Sequence, residues 1–192
     1  MKHTVVALVE DRPGVLNRVA SLFRRRGFNI DSLAVGATEE QGISRMTIVL
    51  DGADGIVEQV EKQLYKLIDV VKVSDVTNEE AVTRELALIK VRCTAEQRRE
   101  VLDLIQIFRA HAVDVTPNSL IVQIVAGEDT LDALVDNLRP YGIREMVRTG
   151  RIAMVRGNRT TAVHERESEP AQRFHSEAGR RPEEDDLQFV SK

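Results

Sequence analysis

The stretch EDRPGVLNRVASLFRRRGFNI, residues 10–30, decides how the chain begins to fold. The run before it, residues 5–9 (VVALV), is too short for a typical helix and rich in β-branched side chains, so it reads as a buried strand. Pro13 fixes φ and Gly14 permits a tight turn, which ends that strand. A helix follows, with Val15, Leu16, Val19, Leu22 and Phe23 on an apolar face and Asn17, Arg18 and the run Arg24, Arg25, Arg26 on the other. Gly27 closes it, with cations in the last turn where the helix dipole favours them, and residues 28–30 enter a second strand. A helix start of this kind presents unpaired backbone N–H groups and partial positive charge, and glycine lets a ligand approach closely. Pro13 offers no N–H, so Gly14, Val15 and Leu16 are candidate donors to a small carboxylate. The same tetrapeptide, Asp-Arg-Pro-Gly, also reads as a plain strand-to-helix loop.

Outward from this stretch, strand, helix and turn signals alternate. Residues 29–37 alternate loosely around Ile30, Leu33 and Val35, and residues 43–50 (ISRMTIVL) form a third strand across a polar turn. A break at residues 51–54, ending in the helix-starting acid Asp54, leads to a helix with Ile56, Val57, Val60, Leu64, Leu67 and Ile68 on one face. Residues 70–73 make a fourth strand. The order βαββαβ in about 75 residues predicts a ferredoxin-like unit. After a linker at residues 77–80 the order recurs: a strand at 86–91, a helix carrying Val101 to Phe108, strands at 113–116 and 120–125, a helix around Leu131 and Leu138, and strands at 143–147 and 152–155. The fold class is therefore α+β, with two ferredoxin-like βαββαβ units at 1–77 and 78–157. Residues 158–192 carry eight acidic and six basic residues with few apolar ones, which predicts a disordered charged tail. Within it, residues 187–190 (LQFV) read as an inert end or a short docking motif.

Composition narrows the function. The 192 residues hold 27 basic and 31 acidic side chains, a net charge of −4 that does not suggest nucleic-acid binding. Five Phe, two Tyr and no Trp leave the core to Val, Leu and Ile, and the strands lack the aromatics on which RNA bases stack. The single cysteine, Cys93, allows no internal disulfide and reads as a buried structural thiol. His3, His111, His164 and His175 show no metal-ligand spacing. No secretory leader and no apolar run of about 20 residues is visible, so a soluble cytoplasmic protein without membrane contact is expected. No nucleophile, P-loop, dinucleotide fingerprint or zinc motif is present, so no catalytic residue and no metal site is expected.

The string VEDRPGVLNRVASLFRRRGFNIDSLAVGATEEQGISRMTIVL closely resembles the N-terminal ACT domain of the small, regulatory subunits of acetolactate synthase. Further blocks, EKQLYKLIDVVKVSDV and FRAHAVDVTPNSLIVQIVAG, extend the resemblance over about residues 2–157. It implies a homodimer paired through ACT domains, with valine as allosteric effector in branched-chain amino-acid biosynthesis. It also implies a partner, the large catalytic subunit that makes acetolactate from pyruvate and holds thiamine diphosphate, magnesium and FAD, leaving no cofactor in this chain. Residue by residue, Gly14, Val15 and Leu16 match the helix start that receives the effector carboxylate. Asn29, with Ile30 beside it, matches a residue reaching the ligand from the neighbouring protomer. Asp11 stands where relatives often carry Asn. It can accept from the effector ammonium but repels a close carboxylate, which leaves valine, leucine and isoleucine open as effectors. A stand-alone ACT amino-acid sensor with another target is the alternative reading, and a small ferredoxin-like enzyme a remoter one.

Overall fold

The structure is a computed structural model describing residues 1–53 and 55–163. The expectations placed on Asp54, His164, His175 and residues 187–190 lie outside the described residues.

The first unit is built on β1 (Lys2–Glu10), a strand buried almost throughout. Val5, Ala7 and Val9 face one way, into a core with Val15, Val19, Phe23, Met46, Ile48 and Leu50, while Val6 faces the other. Burial on both faces explains why the strand reads as a continuous apolar run rather than an alternating one. Around it lie α1 (Val15–Arg26), β2 (Ile30–Ala37), β3 (Ile43–Asp51), α2 (Ile56–Leu64) and β4 (Val70–Asp75). The antiparallel sheet has the order β2-β3-β1-β4, and β1 and β3 pair without a break from Lys2↔Asp51 to Glu10↔Ile43. Both helices cover one face.

The second unit repeats this plan with β5 (Ala81–Arg92), α3 (Arg98–Ile107), β6 (His111–Thr116), β7 (Ser119–Ala126), α4 (Glu128–Leu138) and β8 (Ile143–Arg148), in the order β6-β7-β5-β8. Its core joins Ile89, Val91, Leu120, Val122, Leu131 and Leu134, with Cys93 fully buried among them. The two ferredoxin-like arrangements agree with the α+β expectation.

Three details depart from the sequence reading. First, α2 stops at Leu64 because residues 64–70 tighten into successive turns, with Leu67 N–H on the Leu64 carbonyl and Val70 N–H on the Leu67 carbonyl. Leu67 still packs on the core, but Ile68 is 95% exposed rather than part of the apolar face. Second, β5 begins at Ala81, five residues earlier than expected. Its first four residues pair not with the second sheet but with β9 (Ile152–Val155), from Ala81↔Val155 to Arg84↔Ile152. This ribbon lies on the face of the first sheet that the helices leave open, where Val76, Ala153 and Val155 pack against Val6. Third, residues 158–163, assigned from composition to the tail, are held to the first unit. Arg45 donates to Thr161 Oγ1 at 2.6 Å, Lys72 to the Ala162 carbonyl at 3.0 Å, and Arg159 to Glu79 at 2.7 Å. Composition missed this because the anchoring groups sit about 80 residues or more away in the chain.

Candidate functional site

Gly14 adopts φ 89°, a left-handed conformation that L side chains rarely enter, and this reverses the chain between β1 and α1. Asp11 N–H donates to the Gly42 carbonyl at 2.8 Å and Arg18 N–H to the Gly14 carbonyl at 3.0 Å, fixing both sides of the corner. Val15 N–H donates to the Arg12 carbonyl at 3.3 Å, so one of the three amides expected to be on offer is engaged in the turn. Gly14 and Leu16 have no backbone acceptor among the described residues. Val15 is 3% exposed and contributes its side chain to the core, whereas Leu16, read with the apolar face, is 46% exposed beside the helix start. Asp11 is exposed on the rim.

Arg18, one turn into α1, braces the corner. Its Nε and Nη2 donate to the two carboxylate oxygens of Asp69 at 2.7 and 2.8 Å, and the Asp69 carbonyl accepts Glu10 N–H at 2.9 Å. A bidentate charged pair of this kind adds geometric specificity as well as energy. Its Nη1 lies 3.5 Å from where a Cβ on Gly14 would stand.

The electrostatics single out this helix. The first turns of α2, α3 and α4 each carry an acid, Glu58, Glu100 and Glu128 with Asp129 respectively, while that of α1 carries none. The equivalent corner of the second unit is closed by its own side chains: Gln97 N–H donates to Thr94 Oγ1 and Thr94 N–H to Gln97 Oε1, each at 3.4 Å. Among the described helices, α1 is therefore the one whose first turn carries no acid to offset the positive end of its dipole.

Asn29 and Ile30 lie at the far end of α1. Gly27 N–H donates to the Arg24 carbonyl and Phe28 N–H to the Phe23 carbonyl, a Schellman ending completed by Phe23 and Phe28 packed edge to face at 5.8 Å. It sends Phe28 inward and leaves Asn29 exposed at the entry to β2, with Ile30 half-buried against Leu50. Twelve helical residues separate Asn29 from Gly14 by about 18 Å, so one chain does not bring Asn29 to Gly14. Arg24, Arg25 and Arg26 are exposed on the intervening surface.

A feature that sequence reading did not reach lies between the two units. A cavity of about 400 Å³ is lined by Lys2, Asp31, Ser32, Glu85, Glu128 and the segment around Arg148 and Arg151. Lys2 bridges Asp31 (3.0 Å) and Glu128, and Arg151 pairs with the same Glu128 while donating to Thr4 Oγ1 at 3.2 Å. The Lys2 hydrogen bond, aided by Arg151, holds the Glu128 carboxyl below the usual carboxylate range. Arg148 donates to both oxygens of Glu85 and to Asp132, which raises its already high pKa. Only the pairing of opposite charges across distant segments could have signalled this cluster. Among the described residues no group of three potential metal ligands gathers, and no helix is long and apolar enough to cross a membrane.

Comparisons with known proteins agree on one family. Residues 6–72 match the family described as AHAS small subunit-like ACT domain, and residues 84–157 match that described as small subunit of acetolactate synthase. A probable acetolactate synthase small subunit of Archaeoglobus fulgidus is 57% identical over 159 residues, covering 83% of this chain and 99% of the relative. The acetolactate synthase small subunit of Mycobacterium bovis is 52% identical over 157 residues, covering 82% and 94%. The crystal structure of the small subunit from Thermotoga maritima superimposes with a TM-score of 0.77 at 43% identity, covering 83% of this chain and 99% of that one.

Proposed function

Since this chain belongs to the family of acetolactate synthase small subunits, we propose that it activates a separate catalytic subunit and makes that enzyme sensitive to feedback inhibition by valine. The unit at 1–77 binds the effector and dimerises, and the unit at 78–157 serves regulation of the catalytic subunit. The observation that carries the reading is the start of α1: Gly14 and Leu16 amides without a backbone acceptor among the described residues, a first turn without acid, and Asn29 about 18 Å away at the other end of the helix. Two copies related by a two-fold axis would set Asn29 of one against Gly14 of the other, and closed dimers of this symmetry are the commonest soluble oligomers. In such a site the effector carboxylate meets the α1 amides and Asn29 supplies both a donor and an acceptor. Asp11 accepts from the ammonium group. Thiamine diphosphate, magnesium and FAD belong to the catalytic subunit.

Valine inhibits by binding the poorly activating arrangement of the dimer more tightly than the activating one. An almost complete shift requires about 5.5 kcal/mol of differential binding, which two symmetric sites share. The test is acetolactate formation from pyruvate by the cognate catalytic subunit, with and without this chain, as valine is titrated. Activation that valine reverses is expected, with Asn29→Ala and Gly14→Asp still activating but resistant to valine. Activation without any valine response keeps the family and points to Asp11 or to another effector. No activation refutes the proposal and leaves a stand-alone amino-acid sensor.

A further inference from the structure

The candidate effector residues Asn29 and Ile30 continue directly into the contact between the two units, through an irregularity in β2. Ile30 pairs with Leu50 and Ser32 with Val49, so two steps along β2 match one step along β3 and Asp31 is the extra residue of a β-bulge. A bulge shifts the phase of side chains beyond it and re-aims the residue it contains. Here the shift lets Ile30 and Leu33 both pack on the helix-side core, turns Ser32 to the opposite face, and directs Asp31 to Lys2. The loose alternation of residues 29–37 has this cause.

On that opposite face the second unit is seated. Arg151 N–H donates to Ser32 Oγ at 3.3 Å, and a Cβ on Gly150 would come within 3.4 Å of Ser32. Lys2 joins Asp31 to Glu128, the first residue of α4, and Arg151 closes the cluster from the junction of β8 and β9. These side chains are between 21% and 42% exposed, so their charges are partly shielded from water and depend on one another. The second unit also meets the first in the small apolar contact of Val76, Ala153 and Val155 around Val6, and where Arg45 donates to the Ala153 carbonyl at 2.6 Å.

We propose that the Asp31 bulge and the Lys2–Glu128–Arg151 ion cluster form the joint through which effector binding at Asn29 reaches the second unit. This rests on the effector reading given above. A ligand held by Asn29 fixes the chain two residues before the bulge. Ser32 and Asp31 then impose that position on Arg151 and, through Lys2, on Glu128. Breaking the cluster leaves binding intact and separates it from its consequence.

The experiment uses full-length wild type, Glu128→Gln and Lys2→Met, each reconstituted with the catalytic subunit. Valine binding is measured by calorimetry, valine inhibition by acetolactate formation, and backbone hydrogen exchange over residues 143–155 with and without valine. Both variants are expected to bind valine within about twofold of wild type and still activate. Their inhibition midpoint should rise about tenfold, within the range of ordinary allosteric couplings, and the valine-induced protection of residues 143–155 should vanish. Unchanged binding with unchanged inhibition overturns the joint alone. Loss of binding together with inhibition overturns it too, because the cluster would then be supporting the site. Absence of valine binding by the wild type defeats the effector reading and the joint with it. Should a charge variant fail to unfold cooperatively, Ser32→Ala carries the same test, because it removes one neutral acceptor and leaves every charge in place.

Discussion

Gly14→Ala separates the conformational part of the site from its chemical part. At φ 89° an alanine would be forced into left-handed backbone, which costs roughly 1–2 kcal/mol for an L residue. Space contributes little, because the nearest atom to the new Cβ is Arg18 Nη1 at 3.5 Å, ordinary van der Waals contact. Gly27 provides the control: it sits at φ 69° with nothing within 4 Å of an added methyl, so Gly27→Ala should cost a similar ~1–2 kcal/mol. For a chain of this size that corresponds to a melting point lower by about 2–8 °C in either variant. The two should diverge in ligand response, since the methyl on residue 14 projects beside the amides that are to receive a carboxylate, whereas the methyl on residue 27 faces open space. Urea denaturation and valine calorimetry on both variants, with wild type alongside, give the comparison. A Gly14→Ala loss below about 0.5 kcal/mol would refute the left-handed corner. Equal weakening of valine binding in both variants would refute the assignment of the helix start.

Other consequences are as concrete. Phe23 is 1% exposed and packs edge to face on Phe28, so Phe23→Ala should cost about 3–5 kcal/mol in urea denaturation, and a loss under about 1 kcal/mol would contradict the packing. Arg18→Met strands the Asp69 carboxylate, which is 8% exposed, and should cost about 1.5–3 kcal/mol. Lys62→Met, which breaks a fully exposed pair with Glu58, should be near neutral by the same assay. Glu128 has a folded pKa below its ordinary value of 4.5, set first by the Lys2 hydrogen bond. Its contribution to stability is therefore complete above about pH 4.5 and lost as pH falls through the lower folded value. Glu128→Gln should flatten that acid limb of stability below about pH 4.5, and an unchanged slope would show that the carboxylate is not engaged in the folded protein.

Local rules made much of the architecture legible. Strands β1 and β3, the helices α1 and α4, and the repeated βαββαβ order follow from apolar periodicity, and Gly14 and Gly27 mark the ends of α1 because few other residues accept positive φ. The acid-free first turn of α1 was equally readable, since it is a property of a few consecutive residues. The engaged Val15 amide was not, because whether a turn closes on Arg12 depends on φ and ψ rather than on residue type.

What residue order could not convey is whatever joins segments far apart in the chain. Ile68 looked like a core residue because periodicity continued through it, but the turn that delivers Asp69 to Arg18 carries it into solvent. Residues 158–163 looked like tail because their composition is polar, but Arg45 and Lys72 supply their partners from the first sheet. The Lys2–Glu128 pair, which joins the Asp31 side of the cluster to the Arg151 side, needs the two units docked on each other before its charges meet. Periodicity and turn chemistry act over a few residues and are written in the sequence, whereas docking and charge pairing act through space and exist only once the chain has folded.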